Sequence, residues 1–371
     1  MRISLKNKKV RRAGRHLGKA FVLMLKRSLG LSTPPVILAY RGHGTPHDVF
    51  LSGHVLDDRL LYEPAADDST WSNIRAMLSR FVSTSIPGAT VTIEAFGKKY
   101  EVETDKHGYF SCHVRPEQKL AGGWYQIQYK VDNTLEEGPE ELLSNSDALI
   151  VDEQQVAFGV ISDVDDTIII SYANRLLRKL RLILTKNAHT RLPFPGVAEF
   201  YQALREPHQK EGPNPIFYVS SSEWNLYDFL IDFCQKQNIP RGVFFLQELK
   251  RNLAQVFRSG GGTHNHKLDK ARRILQLYPS LSFILIGDSG QRDAELYARL
   301  AEDYPERILS VYLRQVKGGT RREDIMHLYQ SITYRKDKVC LSAKTSEAAQ
   351  HAFQKGFITK KGLDRVQDSV A

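Results

Sequence analysis

Residues 156–167 read VAFGVISDVDDT, and this stretch decides the fold class. Its first part is dominated by apolar side chains and predicts a buried strand over Val156–Ser162. Three carboxylates, those of Asp163, Asp165 and Asp166, follow within four positions. Polar residues directly after an apolar strand are typical of parallel sheets, in which ligands bind beyond the carboxyl ends of the strands. The stretch therefore predicts an α/β domain with a site at the end of its first strand.

The chain beyond this stretch continues the same alternation. Four more apolar segments predict strands, and segments with helical periodicity separate them. Buried strands that alternate with helices predict a parallel sheet with helices on both faces. The predicted strands are Pro215–Ser220, Gly242–Leu246, Leu281–Gly287 and Arg307–Tyr312, and the predicted helices are Glu199–Leu204, Trp224–Gln237, Leu268–Leu277 and Asp293–Asp303.

Residues 36–150 have a different pattern, with short alternating segments such as Thr90–Ala95 and Tyr109–Val114. Strands at hairpin spacing predict a small antiparallel β-sandwich of transthyretin-like or immunoglobulin-like type, interrupted by one helix around Ser72–Val82. The segment Thr104–Phe110 resembles the strand–turn–strand of transthyretin-like and carboxypeptidase-regulatory-like modules. This region contains no catalytic constellation, so we expect a binding or spacer module.

The composition is that of a globular protein, with 42% hydrophobic and 25% charged residues among 371. The net charge of +10 lies entirely in residues 1–30, which hold ten Lys or Arg and no acidic residue. The remaining chain has 42 basic and 42 acidic residues. Such a balanced body argues against a general nucleic-acid surface, and we expect no nucleic-acid partner.

The basic N-terminal arm, residues 1–35, has apolar residues at helical spacing from Val10 to Met24 and ends at Ser32–Pro35. One interpretation is an amphipathic helix on an anionic membrane surface. The alternatives are a solvated tail and a helix docked on the body. The segment Asn174–Leu184 is also basic and apolar, and it is either a lid that enters a lipid interface or a core-packing helix.

Cysteine usage and targeting signals bear on the compartment. Cys112, Cys234 and Cys340 are odd in number and far apart, which argues against a disulfide framework or a zinc site and for a reducing compartment. No apolar run approaches the roughly 20 residues of a membrane span, and the run Phe21–Leu25 is too short for the core of a signal peptide. We therefore expect a cytoplasmic protein, with reversible contact at the membrane periphery.

Polar residues at the ends of the predicted strands suggest a metal and phosphate site. Clustered carboxylates repel each other, and a bound cation relieves this repulsion. A site with only oxygen ligands favours Mg²⁺. The alternative interpretation of the three carboxylates is an acidic turn on the surface. Ser220-Ser221-Ser222 lies before a helix and suits phosphate oxygens, or caps that helix, or does both.

Two later segments add charge to this predicted site. Asp288 and Asp293 supply further oxygen donors after the fourth strand of the α/β domain, and Lys267 brings one positive charge. A transition-metal site at His264 and His266 is the weaker alternative, because no cysteine or third histidine accompanies them.

Four of these segments occur in the chain order typical of the haloacid dehalogenase-like phosphohydrolase superfamily, and the chain resembles it. The matching residues are Asp163, Asp165 and Thr167, then Ser220, then Lys267, then Asp288 and Asp293. The words VISDVDDT (160–167), YVSSSEWNL (218–226) and IGDSGQRDAELY (286–297) are similar to the catalytic domain of the actin-patch-associated phosphatidate phosphatase family, over residues 150–320. Glu223 departs from the pattern, since relatives often have proline there.

The resemblance implies a Rossmann-like parallel sheet and a phosphatase mechanism. Asp163 attacks phosphorus to form an aspartyl-phosphate, and Asp165 protonates the leaving alkoxide and then activates water. The implied Mg²⁺ ligands are Asp163, Asp165 through its backbone carbonyl, Asp288 and Asp293, with Asp293 acting directly or by orienting its neighbours. The implied phosphate-binding residues are Thr167, Ser220, Ser221 and Lys267.

The sequence thus predicts four parts: the arm 1–35, the β-rich region 36–150, the phosphatase domain 151–320 and a helical extension 321–371. The expected reaction is Mg²⁺-dependent hydrolysis of phosphatidate to diacylglycerol at an anionic membrane surface. The short spacings between the motifs leave no room for a large cap domain over the site. Because an open site accepts bulky substrates, phosphoproteins, nucleotides and polynucleotide ends stay open as alternatives. A non-catalytic tethering module is the other alternative, which the complete set of acids disfavours.

Overall fold

The structure is a computed structural model, which describes residues 35–57, 85–132, 141–164, 195–247, 265–289, 292–315, 322–330 and 336–370. These residues form two sheets, one of eight strands and one of six. The basic arm, the helix predicted around Ser72–Val82 and the segment Asn174–Leu184 lie outside the described residues. All three cysteines are described, and none forms a disulfide.

The N-terminal sheet has the order β1-β3-β2-β8-β7-β4-β5, with β6 paired to β3. Its neighbours are antiparallel except for β2 and β8, and its apolar side chains form a core of their own. The sandwich arrangement predicted for this region stays a prediction. The strands are β1 Pro35–Ala39, β2 Gly42–Gly44, β3 Val49–Asp57, β4 Thr90–Ala95, β5 Lys98–Glu103, β6 Tyr109–Val114, β7 Gly123–Asp132 and β8 Glu141–Ile150.

The C-terminal sheet is parallel throughout, with the order β11-β10-β9-β12-β13-β14. The first strand of this domain therefore lies in the middle, between the second and the fourth. This is the strand order of doubly wound sheets, which bind ligands where the order reverses. The strands are β9 Gly159–Asp163, β10 Ile216–Glu223, β11 Val243–Gln247, β12 Phe283–Asp288, β13 Ile308–Arg314 and β14 Val339–Ser342.

Helices cover both faces of the parallel sheet, which confirms the predicted α/β class. Adjacent strand residues point to opposite faces, and Val160 and Ile161 of β9 belong to two different apolar clusters. The helices are α1 Val197–Arg205, α2 Tyr227–Lys236, α3 Asn265–Leu277, α4 Asp293–Asp303, α5 Arg322–Gln330, α6 Thr345–Gln354 and α7 Lys360–Val370. Helices α3, α4 and α5 pack with Ile161, whereas α1, α2, α6 and α7 pack with Val160. Among the described helices, none has the length and apolar character needed to cross a bilayer.

The C-terminal part of the chain is integrated into the parallel sheet. Strand β14 pairs with β13 over four residues, from Val311 opposite Val339 to Arg314 opposite Ser342. The segment 321–371, predicted as a helical extension, thus also contributes the sixth strand of the sheet. Its two last helices bury Ala349 and Val366 in the same cluster as α1.

The two sheets contact each other through aromatic and polar side chains. The ring of His54 on β3 stacks on that of Trp224, which directly follows β10, with centroids 4.0 Å apart and planes at 10°. The backbone N–H of Arg41 donates to the Tyr227 hydroxyl at 2.7 Å, and the Tyr278 hydroxyl donates to the Gly44 carbonyl at 3.3 Å. The first strands of the N-terminal sheet therefore lie against the α/β domain.

Asn214 fixes the segment that enters β9. Its Oδ1 accepts hydrogen bonds from the backbone N–H groups of Ala157 and Phe158, at 3.0 and 3.2 Å. Its Nδ2 donates to the carbonyl of Leu204 at the end of α1, at 2.9 Å. The side chain is buried, so these bonds hold the start of β9 against α1 in a region without competing water.

We predict that Asn214→Ala lowers the free energy of unfolding by about 3 kcal/mol, because it leaves buried backbone groups without their hydrogen-bond partner. Urea unfolding measures the change. Asn145→Ala, at an exposed position of β8, is the matched control and should change stability by less than about 0.5 kcal/mol. Equal effects of the two substitutions would contradict the assigned role of Asn214.

Candidate active site

Two carboxylates end neighbouring strands in the middle of the parallel sheet. Asp163 is the last residue of β9 and Asp288 the last of β12. The strands are parallel, with Ser162 opposite Ile286, so both side chains lie at the same edge of the sheet. Both residues are fully buried. Neighbouring strands are only about 4.8 Å apart, so the strand pairing itself brings the two like charges together.

A third carboxylate, that of Asp293, joins them from the first turn of α4. Its Oδ2 accepts a long hydrogen bond of 3.4 Å from the backbone N–H of Asp288. Gly287 permits this approach, because a Cβ there would lie 2.9 Å from that Oδ2 atom and 2.7 Å from the Tyr297 ring. One oxygen from each of Asp163, Asp288 and Asp293 lies within 4.8 Å of the other two.

The ammonium group of Lys267 lies between two of these carboxylates. Its Nζ is 2.6 Å from Asp163 Oδ1 and 3.1 Å from Asp293 Oδ1. Lys267 belongs to the first turn of α3 and is 6% exposed. Buried ammonium and carboxylate groups carry large desolvation costs, which only close pairing offsets. These contacts therefore fix the start of α3 against the end of β9 and the start of α4.

The chemistry of the cluster fits a small divalent cation. Its three carboxylates carry more negative charge than the one ammonium of Lys267 balances, and all the candidate ligand atoms are oxygens, which Mg²⁺ prefers. Two ligands of one Mg²⁺ are at most about 4.2 Å apart, twice the metal–oxygen distance. The three oxygens, which all lie within 4.8 Å of one another, are thus close to the spacing that a shared Mg²⁺ would need. His266 is exposed on α3 and outside this cluster.

Hydroxyl groups behind the cluster hold its backbone in place. Ser162 Oγ donates to the carbonyl of Asp163 at 2.8 Å and is 2.6 Å from the Tyr201 hydroxyl. The Tyr297 hydroxyl donates to the carbonyl of Ile286 at 2.9 Å. Burial and the nearby carboxylates of Asp293 and Asp163 raise the pKa of Tyr297 well above its ordinary value, so the hydroxyl stays protonated and can donate. The sequence contained no signal for these supporting groups, because they are ordinary core positions of helices and strands.

The serine segment lies at the same edge of the sheet. Val219 is opposite Asp163, so Ser220 is one residue beyond it on the neighbouring strand. Ser220 Oγ accepts the backbone N–H of Ser222 at 2.9 Å, and Lys270 Nζ donates to the Ser220 carbonyl at 3.0 Å. Ser220 is buried and Ser221 half-buried. All three serines lie within β10, and helix α2 begins only at Tyr227, where the cap residue Leu226 makes no side-chain hydrogen bond. The Ser220 contact is therefore internal to the strand, and the predicted capping of this helix by the serines is not observed.

The described structure brings together Asp163, Asp288, Asp293 and Lys267 and places Ser220 and Ser221 on the adjacent strand. Asp165, Thr167 and His264 lie outside the described residues, so their predicted roles stay predictions.

Comparison with known proteins supports the resemblance drawn from the motifs. Residues 158–315 match the family model described as "Phosphatidate phosphatase APP1, catalytic domain". The matched region contains β9 to β13 and the whole carboxylate–lysine cluster. This match confirms the family resemblance for the parallel-sheet domain.

Two curated fungal proteins are similar to parts of the chain. Phosphatidate phosphatase APP1 of Saccharomyces cerevisiae is 30% identical over 157 residues, which cover 42% of this chain and 25% of that protein. An uncharacterized protein of Schizosaccharomyces pombe is 24% identical over 223 residues, which cover 59% of this chain and 35% of that protein. The matches thus span only about a quarter to a third of the length of these relatives.

Solved structures give no further assignment. A carbohydrate acetylesterase from Xanthomonas citri aligns over 80% of this chain and 73% of its own, with 14% identity and a TM-score of 0.28. A similarity at that level carries no conclusion about fold or activity.

We predict that Lys267→Met lowers the free energy of unfolding by about 3 kcal/mol, because it leaves two buried carboxylates without the cation they share. Guanidinium unfolding measures the change in metal-free buffer. Lys236→Met is the control, since Lys236 forms an i,i+4 pair with Asp232 near the surface of α2 at 2.8 Å, and it should cost less than about 0.5 kcal/mol. A Lys267→Met protein as stable as wild type would contradict the structural role of the buried ammonium.

Proposed function

We propose that this protein is a phosphatase that hydrolyses phosphatidate to diacylglycerol and inorganic phosphate. The observation that carries this proposal is the buried cluster of Asp163, Asp288, Asp293 and Lys267 within a region that matches a phosphatidate phosphatase catalytic-domain model. Phosphoryl transfer depends on positioning and on balanced charge around the transferring group. A rigid sheet edge with a nucleophile, a cation-binding acid set and an ammonium group meets both requirements.

Asp163 is the proposed nucleophile. Its carboxylate lies on a buried strand end and is held by Lys267 Nζ at 2.6 Å. Attack on phosphorus forms an aspartyl-phosphate and breaks the bond to the lipid alkoxide. Water then attacks the phosphorus of this intermediate, which releases phosphate and restores the carboxylate. The resemblance to haloacid dehalogenase-like phosphohydrolases implies this mechanism, in which the reaction proceeds by two successive displacements.

Asp165 is the proposed general acid and base. It would give its proton to the leaving alkoxide in the first displacement and take a proton from the attacking water in the second. Its position two residues after Asp163 puts it in the segment that leaves β9. This residue lies outside the described part of the chain, so its assignment depends on the motif DVDDT at 163–167 alone.

Asp163, Asp288 and the backbone carbonyl of Asp165 would hold Mg²⁺, with Asp293 as a further ligand or as a positioning residue. When bound, Mg²⁺ would neutralise charge on the phosphoryl oxygens. Asp293 contacts both Lys267 Nζ and the backbone N–H of Asp288, which supports the positioning role.

The phosphate itself would be bound by Lys267, by the last residues of β10 and by the segment after β9. Ser220 and Ser221 lie on the strand next to Asp163, and Thr167 follows in the motif segment. The basic residues of the arm 1–30 would attract the protein to an anionic membrane surface, where phosphatidate resides. A cytoplasmic protein at the membrane periphery is the placement that this proposal implies.

We predict that Asp163→Asn lowers phosphatidate turnover at least about 10³-fold, because the amide cannot form the phosphoryl intermediate. Phosphate release from phosphatidate in detergent micelles measures the effect. Asp368→Asn, the same chemical change at an exposed position of α7, should retain wild-type turnover. Turnover by Asp163→Asn within a factor of about ten of wild type would contradict the nucleophile assignment.

We also predict that EDTA abolishes turnover and that Mg²⁺ restores it.

Saturation with Mg²⁺ at about 100 times its Kd should add about 2.7 kcal/mol to the free energy of unfolding. Asp288→Asn should lose most of this gain, whereas Asp368→Asn should retain it. Thermal unfolding of wild type and of the two variants, with and without Mg²⁺, measures this gain in stability. Full turnover in EDTA, or the same Mg²⁺ stabilisation in Asp288→Asn as in wild type, would contradict the proposed metal site.

A further inference from the structure

A cavity of about 500 Å³ lies between the two sheets. Its volume is in the range of about 300–1,000 Å³ that small-molecule sites occupy. Both domains supply its walls, with side chains from β2, β3 and β6 on one side and from Trp224, α2, β11 and α3 on the other. The walls include Phe50, His54, Tyr109, Trp224, Phe245 and Leu277.

One end of this cavity lies near Ser220 on β10, the strand that pairs with the strand of the proposed nucleophile. Lys270 lines the cavity, and its Nζ donates to the carbonyl of Ser220 at 3.0 Å. Lys267, three residues earlier on α3, contacts Asp163. Residues three apart on a helix share a face, with Cβ atoms about 5–6 Å apart. The cavity therefore begins one helical turn from the reaction centre.

From that end the cavity extends along α3. Lys270, Arg273, Ile274 and Leu277 all line it, and the distance from the first to the last is about 10 Å at 1.5 Å per residue. The basic side chains come first and the aliphatic Leu277 last. A ligand along this helix would thus have its anionic end at Lys270 and its apolar end at Leu277.

The chemistry of the walls suits an uncharged, apolar segment. The stacked rings of His54 and Trp224 come from opposite sides of the domain contact. Desolvation lowers the pKa of His43 to about 4, so its imidazole is neutral at pH 7. Asp48 is the one acidic residue among the described residues that line the cavity, and it is 2.7 Å from the ring of His113. The walls therefore offer aromatic and aliphatic surface together with the basic side chains of Arg41, Lys270 and Arg273.

We propose that this cavity binds an acyl chain of the substrate, while the phosphate of the same molecule lies at Asp163. This inference depends on the proposed phosphatidate phosphatase function. It gives the β-rich domain a role in substrate selection, because that domain forms one wall of the lipid site. Ile274 and Leu277 at the distal end suit methylene groups better than the polar edge of a nucleotide base.

The first test fills the cavity from the β-rich domain. Ser52 on β3 lines the cavity, and Ser111 on β6 is directly opposite it, exposed and outside the lining. Ser52→Phe should lower kcat/KM for dioleoyl phosphatidate by about tenfold, or about 1.4 kcal/mol, because the phenyl ring occupies space that the acyl chain needs. It should leave kcat/KM for a phosphatidate with butyryl chains within about twofold, because a short chain leaves the cavity empty. Ser111→Phe should affect neither substrate.

An equal loss of kcat/KM for both chain lengths in Ser52→Phe, or no loss for either, would overturn the inference. The butyryl substrate also reports whether the variant folds, since it requires an intact reaction centre.

The second test measures binding without turnover. A phosphonate analogue of phosphatidate with brominated acyl chains should quench tryptophan fluorescence of the Asp163→Asn protein, because Trp224 lines the cavity. The quenching should disappear in the double variant Asp163→Asn/Trp224→Phe. In the double variant Asp163→Asn/Ser52→Phe, half-maximal quenching should need about tenfold more ligand. Quenching that persists without Trp224 would place the chain elsewhere and overturn the inference.

The two tests separate this inference from the proposed function. Saturable quenching of Trp224 together with failure to hydrolyse phosphatidate would reject the proposed function and retain the lipid cavity. Hydrolysis of phosphatidate at equal rates by wild type and Ser52→Phe, without quenching of Trp224, would retain the function and reject the cavity.

Discussion

The contact of the buried Lys267 ammonium with the carboxylates of Asp163 and Asp293 is the interaction on which the rest of the parallel-sheet domain depends. It joins three elements that are distant in sequence, at 2.6 and 3.1 Å. A buried charge is tolerated only when close partners replace its water. The strand pairing that places Asp288 beside Asp163 therefore favours positive charge at this edge, and the proposed phosphatase activity would use the same charge balance.

The groups around the cluster restrict its geometry from several directions. Gly287 lets Asp293 approach, Ser162 and Tyr201 hold the backbone at Asp163, and Asn214 fixes the start of β9. Rigid strands and packed hydroxyls position reacting groups more closely than loops do. The N-terminal sheet lies beside this arrangement, because its first strands form one wall of a cavity that Lys270 lines, three residues after Lys267 on α3.

Local pattern predicted the elements whose side chains alternate or form apolar runs, such as β4 and β12. It did not predict β8, where Ser144-Asn145-Ser146-Asp147 interrupts the apolar pattern although the strand pairs with β7 over ten residues. The site acids were predictable because parallel strands bring their ends to one edge. The cavity was not, since the contact of His54 with Trp224 joins residues 170 positions apart, and no local signal encodes such a contact. The roles of Asp165 and Thr167 still depend on the motif alone.

The most direct test of a metal site at the carboxylate cluster is anomalous diffraction from crystals grown with Mn²⁺. This ion accepts the same oxygen ligands as Mg²⁺ and scatters X-rays anomalously. The expected result is an anomalous peak bonded to carboxylate oxygens of Asp163 and Asp288, with Lys267 still in contact with Asp163. A peak at other residues only, or none at saturating Mn²⁺ with the three carboxylates turned apart, would contradict it.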